Sequence, residues 1–573
     1  MPRLCIVALL LGAVTAQAQV ATYQQTIELQ PGWNAIWVQV QPEANHLSEV
    51  FANLPVASVW RWIPTEAGAR FIQDPAEGLQ NVEGWFAWFP EPRPEAFLSN
   101  LFRINANTAY LVRLEGTESL QVVLDGRPQL VPLRWQTDAF TLTGLPVAPL
   151  NPPTFGEFFA NSPAHQGQPV YKLQANGQWQ VVNPASTAIR EGEAYWVYTE
   201  GNSRYQGRLE VALDQGESLE FAAALDEIRF VLRNRSALPG SFLVRRLGAS
   251  AMPIAFRNED QETGDVGWPF LPASLVLDAS PRENVFVTLG VVRREFSASR
   301  MEQIIEITDE FGERRLLHLG GNTLQPFVAP VRGSSGRMAD SVSLAGLWLG
   351  EVEIDAVSES QQAGVVPEPA PQSFSQRFLV HVDSSGQARL LKDVIQMWQE
   401  GTVAPSAVDP TRNEVIESGR YVLLTDPGLI GLFTGSINRD GASVGQRYST
   451  VAYDFEADAQ LFDGEFGPGS QLSTTLVIEP DLPTNPFLHR FHPDHDNRDA
   501  QFLNFQAEAY QVVREMRLIF AVDDPLGATP PGWGETIVGG FFEESITGLH
   551  KNAIFTSGQF RLRRISSVPV LNQ

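Results

Sequence analysis

Two stretches near the front of the chain carry the same succession of apolar and polar positions. Glu49 to Pro55 (EVFANLP) returns as Glu157 to Pro163 (EFFANSP), and the landmarks on either side return in order. Upstream, Trp33 through Val40 to Pro42 matches Phe140 through Val147 to Pro149; downstream, Val59-Trp60-Arg61 matches Val170-Tyr171-Lys172, and Ala109 to Val112 matches Ala194 to Val197. In each copy an apolar-alternating run (Ile36 to Val40; Phe140 to Val147) predicts a strand that stops at a proline. Aromatics at three- and four-residue spacing then predict short helices around Ser48 to Asn53 and Thr154 to Asn161, with Ser48 and Thr154 as N-caps. Further strands are expected at Val59 to Trp62 and Val170 to Lys172, and at Ala109 to Val112 and Ala194 to Val197. Copy one is longer by an insertion, Gly84 to Phe102, rich in Trp, Phe and Pro.

Beyond Gln215 short strands alternate with turn residues: Glu227 to Leu232, Ser241 to Arg246, Val285 to Val292, then Ile304 to Thr308 and Arg314 to His318 around the hairpin turn Glu310 to Glu313. That spacing predicts an immunoglobulin-like sandwich. A Gly-Ser-rich stretch, Arg332 to Ser341, reads as a linker. From Gly346 onward strands are predicted at Phe378 to Val382, Ala388 to Met397, Tyr421 to Leu424, Leu472 to Ile478, Val512 to Val522, Gly540 to Thr547 and Gly558 to Arg564. Sequential strands without helical crossovers fit an antiparallel barrel or curled sandwich. The expected fold class is therefore mainly β and multidomain. Its parts are a signal (1–18), two repeat modules (19–130 and 131–213), the sandwich (214–331), a linker (332–343) and a barrel-like domain (344–573) with a mobile loop at 358–372.

Composition sharpens the compartment. Met1 to Ala18 has one early charge at Arg3, an apolar core from Ile6 to Val14, and small residues around Gln17, the layout of a cleavable secretory signal cut after Ala18. The only cysteine, Cys5, lies inside it, so stability must come from cores and not from disulfides. No later segment approaches the ~18 to 20 uninterrupted apolar residues of a membrane-spanning helix. The expected location is secreted, extracellular or periplasmic. With 66 acidic against 41 basic side chains, the formal charge of −25 repels phosphate backbones, which argues against nucleic acid partners and favours divalent cations.

The densest polar constellation is His489, His492 and His495 at three-residue intervals, with Asp494 and Asp496 beside them. Imidazole with carboxylate is the ligand set for zinc, and carboxylates alone would suit calcium. His550 is a candidate fourth ligand. The plain alternative is a hydrogen-bonded loop in which the aspartates cap turns, because sequence spacing cannot show that side chains converge. Tryptophan is the second signal. Nine of the thirteen precede residue 200, and those in repeat landmarks, such as Trp60 and Trp196, read as core. Trp85 and Trp88, in the proline-rich insertion, are expected to be exposed and able to stack on a sugar ring. Phosphate loops and metalloprotease helices are absent from the sequence. The adjacent acids Asp523-Asp524 and Glu543-Glu544 read as solvated strand ends, their side chains pointing to opposite faces.

The last portion resembles the lipocalin-type barrels in two places. Gly346-Leu347-Trp348 is similar to that group's Gly-X-Trp, and Arg561, Arg563 or Arg564 on the final strand would supply the arginine that stacks on the tryptophan; the resemblance implies a pocket for an apolar ligand. Considered whole, the chain resembles uncharacterised secreted multidomain proteins of environmental bacteria. They share modules opening Pro-Gly-Trp-Asn (Pro31 to Asn34) and a late segment like Asn485 to Asn497; that resemblance implies secretion and modularity. The reading favoured by the sequence is a secreted, non-enzymatic binding or structural protein, whose partner would be a glycan or a cell-envelope component. The alternatives are a metal-dependent hydrolase at the late His/Asp cluster and a lipocalin-like carrier.

Overall fold

The duplicated sequence pattern returns as duplicated topology. A computed structural model of the chain describes residues 21–64, 84–323, 343–486 and 511–573, apart from 175, 215, 223–224, 249–251, 261–262, 406–412, 418, 434–437, 440–441, 451–453, 458 and 481. The expected signal, the linker stretch Arg332 to Ser341 and the cluster from His489 to Asp496 lie outside the described residues. The chain divides into two units, Met1–Arg257 with Pro269–Pro330 and Asn258–Trp268 with Val331–Gln573.

Module 1 contains β1 (Tyr23–Leu29), β2 (Gly32–Val38), β3 (Val40–Pro42), α1 (Leu47–Val50), β4 (Val56–Trp62), β5 (Trp85–Trp88), β6 (Thr108–Leu114) and β7 (Leu120–Pro128). Module 2 contains β8 (Ala139–Gly144), α2 (Phe155–Phe158), β9 (Val170–Leu173), β10 (Trp179–Val181) and β11 (Ala194–Thr199). Their sheets have the same order, β2-β6-β4-β5 and β8-β11-β9-β10. Both copies also reuse one tether: Asn105 N–H donates to the buried Tyr110 hydroxyl (2.8 Å), and Arg190 N–H to that of Tyr195 (3.0 Å), each five residues upstream. Thr154 caps α2 as expected, in a reciprocal capping box with Glu157. The cap of α1 is His46 and not Ser48, because the chain stays extended only as far as a bridge from His46 to Arg103 and turns two residues earlier than expected.

Each module sheet buries one face under its own helix. Leu47 and Phe51 pack on Ile36, Val38, Val59 and Val112 in module 1, and Phe155, Phe158 and Phe159 pack on Leu145, Val147, Val170 and Val197 in module 2. The opposite faces meet in a shared core of Trp33, Trp37, Trp60, Trp85, Trp179 and Trp196 with Ala35, Leu111, Leu142 and Ala194. Trp196 is the hub, 5.3 Å between ring centroids from Trp62 and 6.2 Å from Trp179. At the centre, a Cβ on Gly144 would lie 2.1 Å from Trp37 Cγ, so glycine is required there.

The expected exposure of Trp85 and Trp88 is corrected by this arrangement. The insertion supplies β5, paired to β4 with Trp85 opposite Trp62 and Trp88 opposite Val59. Strand alternation sends Trp85 into the shared core and Trp88 onto Phe51 in the core of module 1, each only 8% exposed. The exposed aromatics of that insertion are Phe97 and Phe102.

The sandwich is built from β12 (Leu209–Leu213), β13 (Leu219–Ala222), β14 (Glu227–Asn234), β15 (Gly240–Leu247), β16 (Ile254–Phe256), β19 (Ser274–Ala279), β20 (Asn284–Val291), β21 (Arg300–Asp309) and β22 (Arg314–Asn322). Between them lie the two-residue strands β17 (Asn258–Glu259) and β18 (Val266–Gly267), which belong to the second unit. Sheets β12-β14-β20-β16 and β13-β22-β21-β15-β19 enclose an apolar core. The outer face of β21 and β22 is polar yet buried, because module 1 covers it. Glu302 accepts from Arg300 (2.8 Å), from Ala21 N–H (3.1 Å) and from Arg127 (2.9 Å), and lies 3.2 Å from His318. Burial alone would raise the Glu302 carboxyl, but His318, Arg300 and the Ala21 N–H outweigh it and hold it down at about 2.

In the second unit, β23 (Gly346–Val357), β24 (Glu368–Val382), β25 (Ala388–Leu391), β26 (Asp393–Gln399), β27 (Thr402–Pro405), β28 (Asn413–Glu417), β29 (Arg420–Leu424), β30 (Asn438–Arg439) and β31 (Ala442–Ser443) come first. They are followed by β32 (Gln446–Ser449), β33 (Ala459–Leu461), β34 (Asp463–Gly464), β35 (Gln471–Ile478), β36 (Val512–Phe520), β37 (Ile537–Thr547) and β38 (Ile554–Ser566). A nine-stranded antiparallel sheet, β33-β25-β24-β23-β38-β37-β36-β35-β34, curls into a nearly closed barrel, since β33 and β34 at its two edges are one residue apart in the chain. The predicted single strand Ala388 to Met397 is divided at Lys392: β25 joins the barrel, and β26 starts a second sheet, β29-β26-β32. The predicted loop 358–372 is shorter, because β24 already begins at Glu368 and pairs with Val357.

Trp348 is fully buried, donates to Leu344 O (2.9 Å) and has the Arg564 guanidinium 5.9 Å from its ring. Arg564, and not the outward-facing Arg561 or Arg563, is thus the arginine that reaches the tryptophan. The interior is filled with Val352, Phe378, Leu476, Met516, Phe542 and Phe560, which occupy the space the lipocalin resemblance reserves for a ligand. Glu543 and Glu544 do point apart, but only Glu543 is solvated. Glu544 is buried in a bidentate pair with Arg514 (2.6 and 2.8 Å), which corrects its reading as a solvated end. Asp524 is likewise buried and paired with Arg561.

Two outcomes test this fold. Trp196→Ala should lower stability by about 3–5 kcal/mol and Gly144→Val by about 1–3 kcal/mol or more, read as shifts in the denaturant midpoint of the first unit. His165, buried against Trp135 and Phe159 with Ser162 Oγ 2.6 Å from Nδ1, is pushed by burial down to about 4. Unfolded histidine protonates near 6.5, so this stabilisation is complete above that pH and is lost as pH falls toward 4. Denaturation at pH 7.5 and 4.5 should show about 3 kcal/mol of acid sensitivity that His165→Gln lacks.

Candidate functional site

Within the first unit, three connecting segments converge on a cavity of about 320 Å³. Its roof is the link from module 1 to module 2, Pro128 to Leu133; its sides come from Trp37 and Gln39, from Arg204 and Gln206 on the link into the sandwich, and from β12 and β22. Proline at 128, 132 and 146 keeps these walls extended and removes backbone donors that would otherwise need partners. The roof is held at both ends. Leu130 N–H donates to Glu217 O (2.8 Å), and the Gln206 amide brackets Leu133, accepting from its N–H (2.7 Å) and donating to its carbonyl (3.0 Å). Asn107, in the left-handed region at φ +49°, donates to Gln129 O (2.8 Å).

The charged groups at the back are matched among themselves. Arg314 donates to Tyr23 Oη (3.0 Å), to Gln39 Oε1 (2.9 Å) and to Glu191. Burial works against its charge, but Glu191 and Tyr23 outweigh burial and raise its pKa further. Arg315 donates to Pro146 O (3.0 Å) and Gln206 O, and lies 3.4 Å from Glu313. Glu313, itself fully buried, also accepts from Arg208 N–H (2.7 Å) and Leu209 N–H (3.2 Å). Glu210, the one carboxylate of the lining, accepts from Arg233 and Arg235 at 2.6 Å each. Burial would raise its pKa, but Arg235 and Arg233 hold it below the usual range. The result is a preorganised concave wall with amides at Gln39, Asn107, Gln129 and Gln206 and apolar surface from Leu130, Val211 and the prolines.

A larger depression of about 630 Å³ lies on the barrel of the second unit, lined by Ser473, Thr475, Glu515, Arg517, Glu543 and Ser545 among others. It is an open strand face, and Arg517 with Glu543 (3.4 Å) and Ser545 with Glu515 (3.1 Å) already satisfy each other.

The sites expected from the sequence fall elsewhere. Trp85 and Trp88 are in cores. His489, His492, Asp494, His495 and Asp496 are outside the described residues; His550 is described, and its Nδ1 accepts from Asn552 N–H (3.2 Å). Among the described residues no group of three or more His, Cys, Asp or Glu side chains is arranged to hold a metal ion, and no helix is long and apolar enough to cross a membrane. The cavity residues carry no motif. Their one sequence signal is the run of prolines at the module joints, Pro128, Pro132 and Pro146.

No protein-family model matches the chain, and no curated protein matches it. Among solved structures it is similar to a protein of unknown function from Bacteroides ovatus, with 6% identity over 64% of this chain and 95% of that one and a TM-score of 0.15. It is also similar to a Bacteroides ovatus ATCC 8483 protein to which carbohydrate binding is ascribed, with 9% identity over 32% of this chain and 66% of that one and a TM-score of 0.13. At these TM-scores neither likeness carries an argument about fold or ligand.

Proposed function

We propose that this is a secreted, non-enzymatic binding protein of β modules whose cavity at the module joints holds a glycan. The observation that carries the proposal is the state of the cavity wall. Its single carboxylate, Glu210, is tied to two guanidiniums, whereas hydrolysis of a glycosidic bond calls for two carboxyl groups facing one another across it. Amide side chains that both donate and accept suit neighbouring sugar hydroxyls, and the apolar faces of the prolines suit the C–H side of a pyranose. A volume of about 320 Å³ is at the small end for ligand sites, room for one or two sugar rings and not for a buried polymer. Export of the chain through the segment ending at Ala18 would place this site outside the cytoplasm, where envelope and matrix glycans are.

The test is calorimetric titration of the full chain with a panel of oligosaccharides, followed by analysis of the recovered sugars. Binding with the sugars returned intact is expected. Gln129→Ala, which removes an amide with no described partner, should weaken that binding several-fold while leaving the melting temperature unchanged. Reproducible hydrolysis that one point substitution abolishes would overturn the proposal.

A further inference from the structure

The cavity wall leaves one charged donor unanswered. Every other ionic group of the lining is matched: Glu210 with Arg233 and Arg235, Arg314 with Glu191, Arg315 with Glu313. Arg204, exposed on the link between module 2 and the sandwich, has no hydrogen-bond or ion-pair partner for its guanidinium among the described residues. An unpaired guanidinium presents a planar fork matched to a carboxylate.

We infer that the cavity selects a sugar bearing a carboxylate, with Arg204 receiving the carboxylate. This rests on the glycan reading above and adds the ligand class and the residue that sets it. The overall charge of −25 does not oppose it at contact range. At physiological ionic strength the field of distant carboxylates is screened beyond about 8 Å, so the nearest unpaired charge decides. Arg204 is a specificity residue on this account, since a neutral sugar would use the amides and the apolar wall without it.

The experiment compares short oligogalacturonides with the same oligomers methyl-esterified, titrated into the full chain and into Arg204→Gln. The free acid should bind at least tenfold more tightly than the ester and lose that advantage in Arg204→Gln. Raising the salt should weaken the acid and leave the ester unchanged, a readout in the unsubstituted protein that needs no variant to fold. Equal binding of acid and ester, or an advantage that survives Arg204→Gln, overturns the inference and leaves the glycan reading standing. Absence of binding by these oligomers and by every neutral sugar of the panel removes both.

Discussion

The first unit depends on a contact between two copies of one module that could not be made by identical copies. Where the duplicated sequences align, Trp37 of module 1 corresponds to Gly144 of module 2, and these two positions meet face to face in the shared core. Residues that correspond under a near two-fold relation come closest to each other at its axis. Two tryptophans would collide there and two glycines would leave a void. One of each fills the space, and the ring around them, Trp33, Trp60, Trp85, Trp179 and Trp196, packs outward from that pair. Each large side chain so buried is worth about 1.5–3 kcal/mol, which is how a chain with no cysteine beyond Cys5 stabilises modules this small.

The sandwich is joined to the modules by a different kind of contact. The outer face of β21 and β22 carries Glu302, Glu306, Arg314 and His318, all withdrawn from water. Buried charges are costly unless each is met by a counter-charge or a hydrogen-bond partner, and here the neutral partners come from module 1 and the counter-charges from both modules: Ala21 N–H and Arg127 for Glu302, the acceptors Tyr23, Gln39 and Glu191 for Arg314. Such a network has few alternative arrangements, so it sets the angle at which the links run between modules and sandwich. The cavity is the space those links enclose, and its shape is therefore held by ion pairs at and behind its wall.

Much of the fold was legible in the sequence because it was written as local alternation. The repeated strands, the capping box at Thr154 and the hairpin around Glu310 to Glu313 all depend on residues close in sequence or on one strand's two faces, whereas the arginine that reaches Trp348 was implied by the lipocalin resemblance. What failed depended on distant chain. Trp85 and Trp88 read as exposed because their prolines and aromatics look like a loop, and only pairing with β4 reveals a fourth strand. Glu544 reads as solvated because nothing local announces Arg514 as its partner, thirty residues earlier. The cavity was illegible for the same reason: Gln39, Gln129, Arg204 and Gln206 are ordinary polar residues of connecting segments, and their convergence is a property of three domains packed together.

The tryptophan and glycine at the module axis also bear on the history of the protein. A module carrying Trp37 has lost the ability to pair with a second copy of itself, and so has one carrying Gly144. The two halves are committed to one another, and neither is a spare part that recombination could shuffle alone into another chain. Fusion in one polypeptide, in fixed order, is then the condition under which such asymmetry could persist, since it guarantees each half its complement at birth.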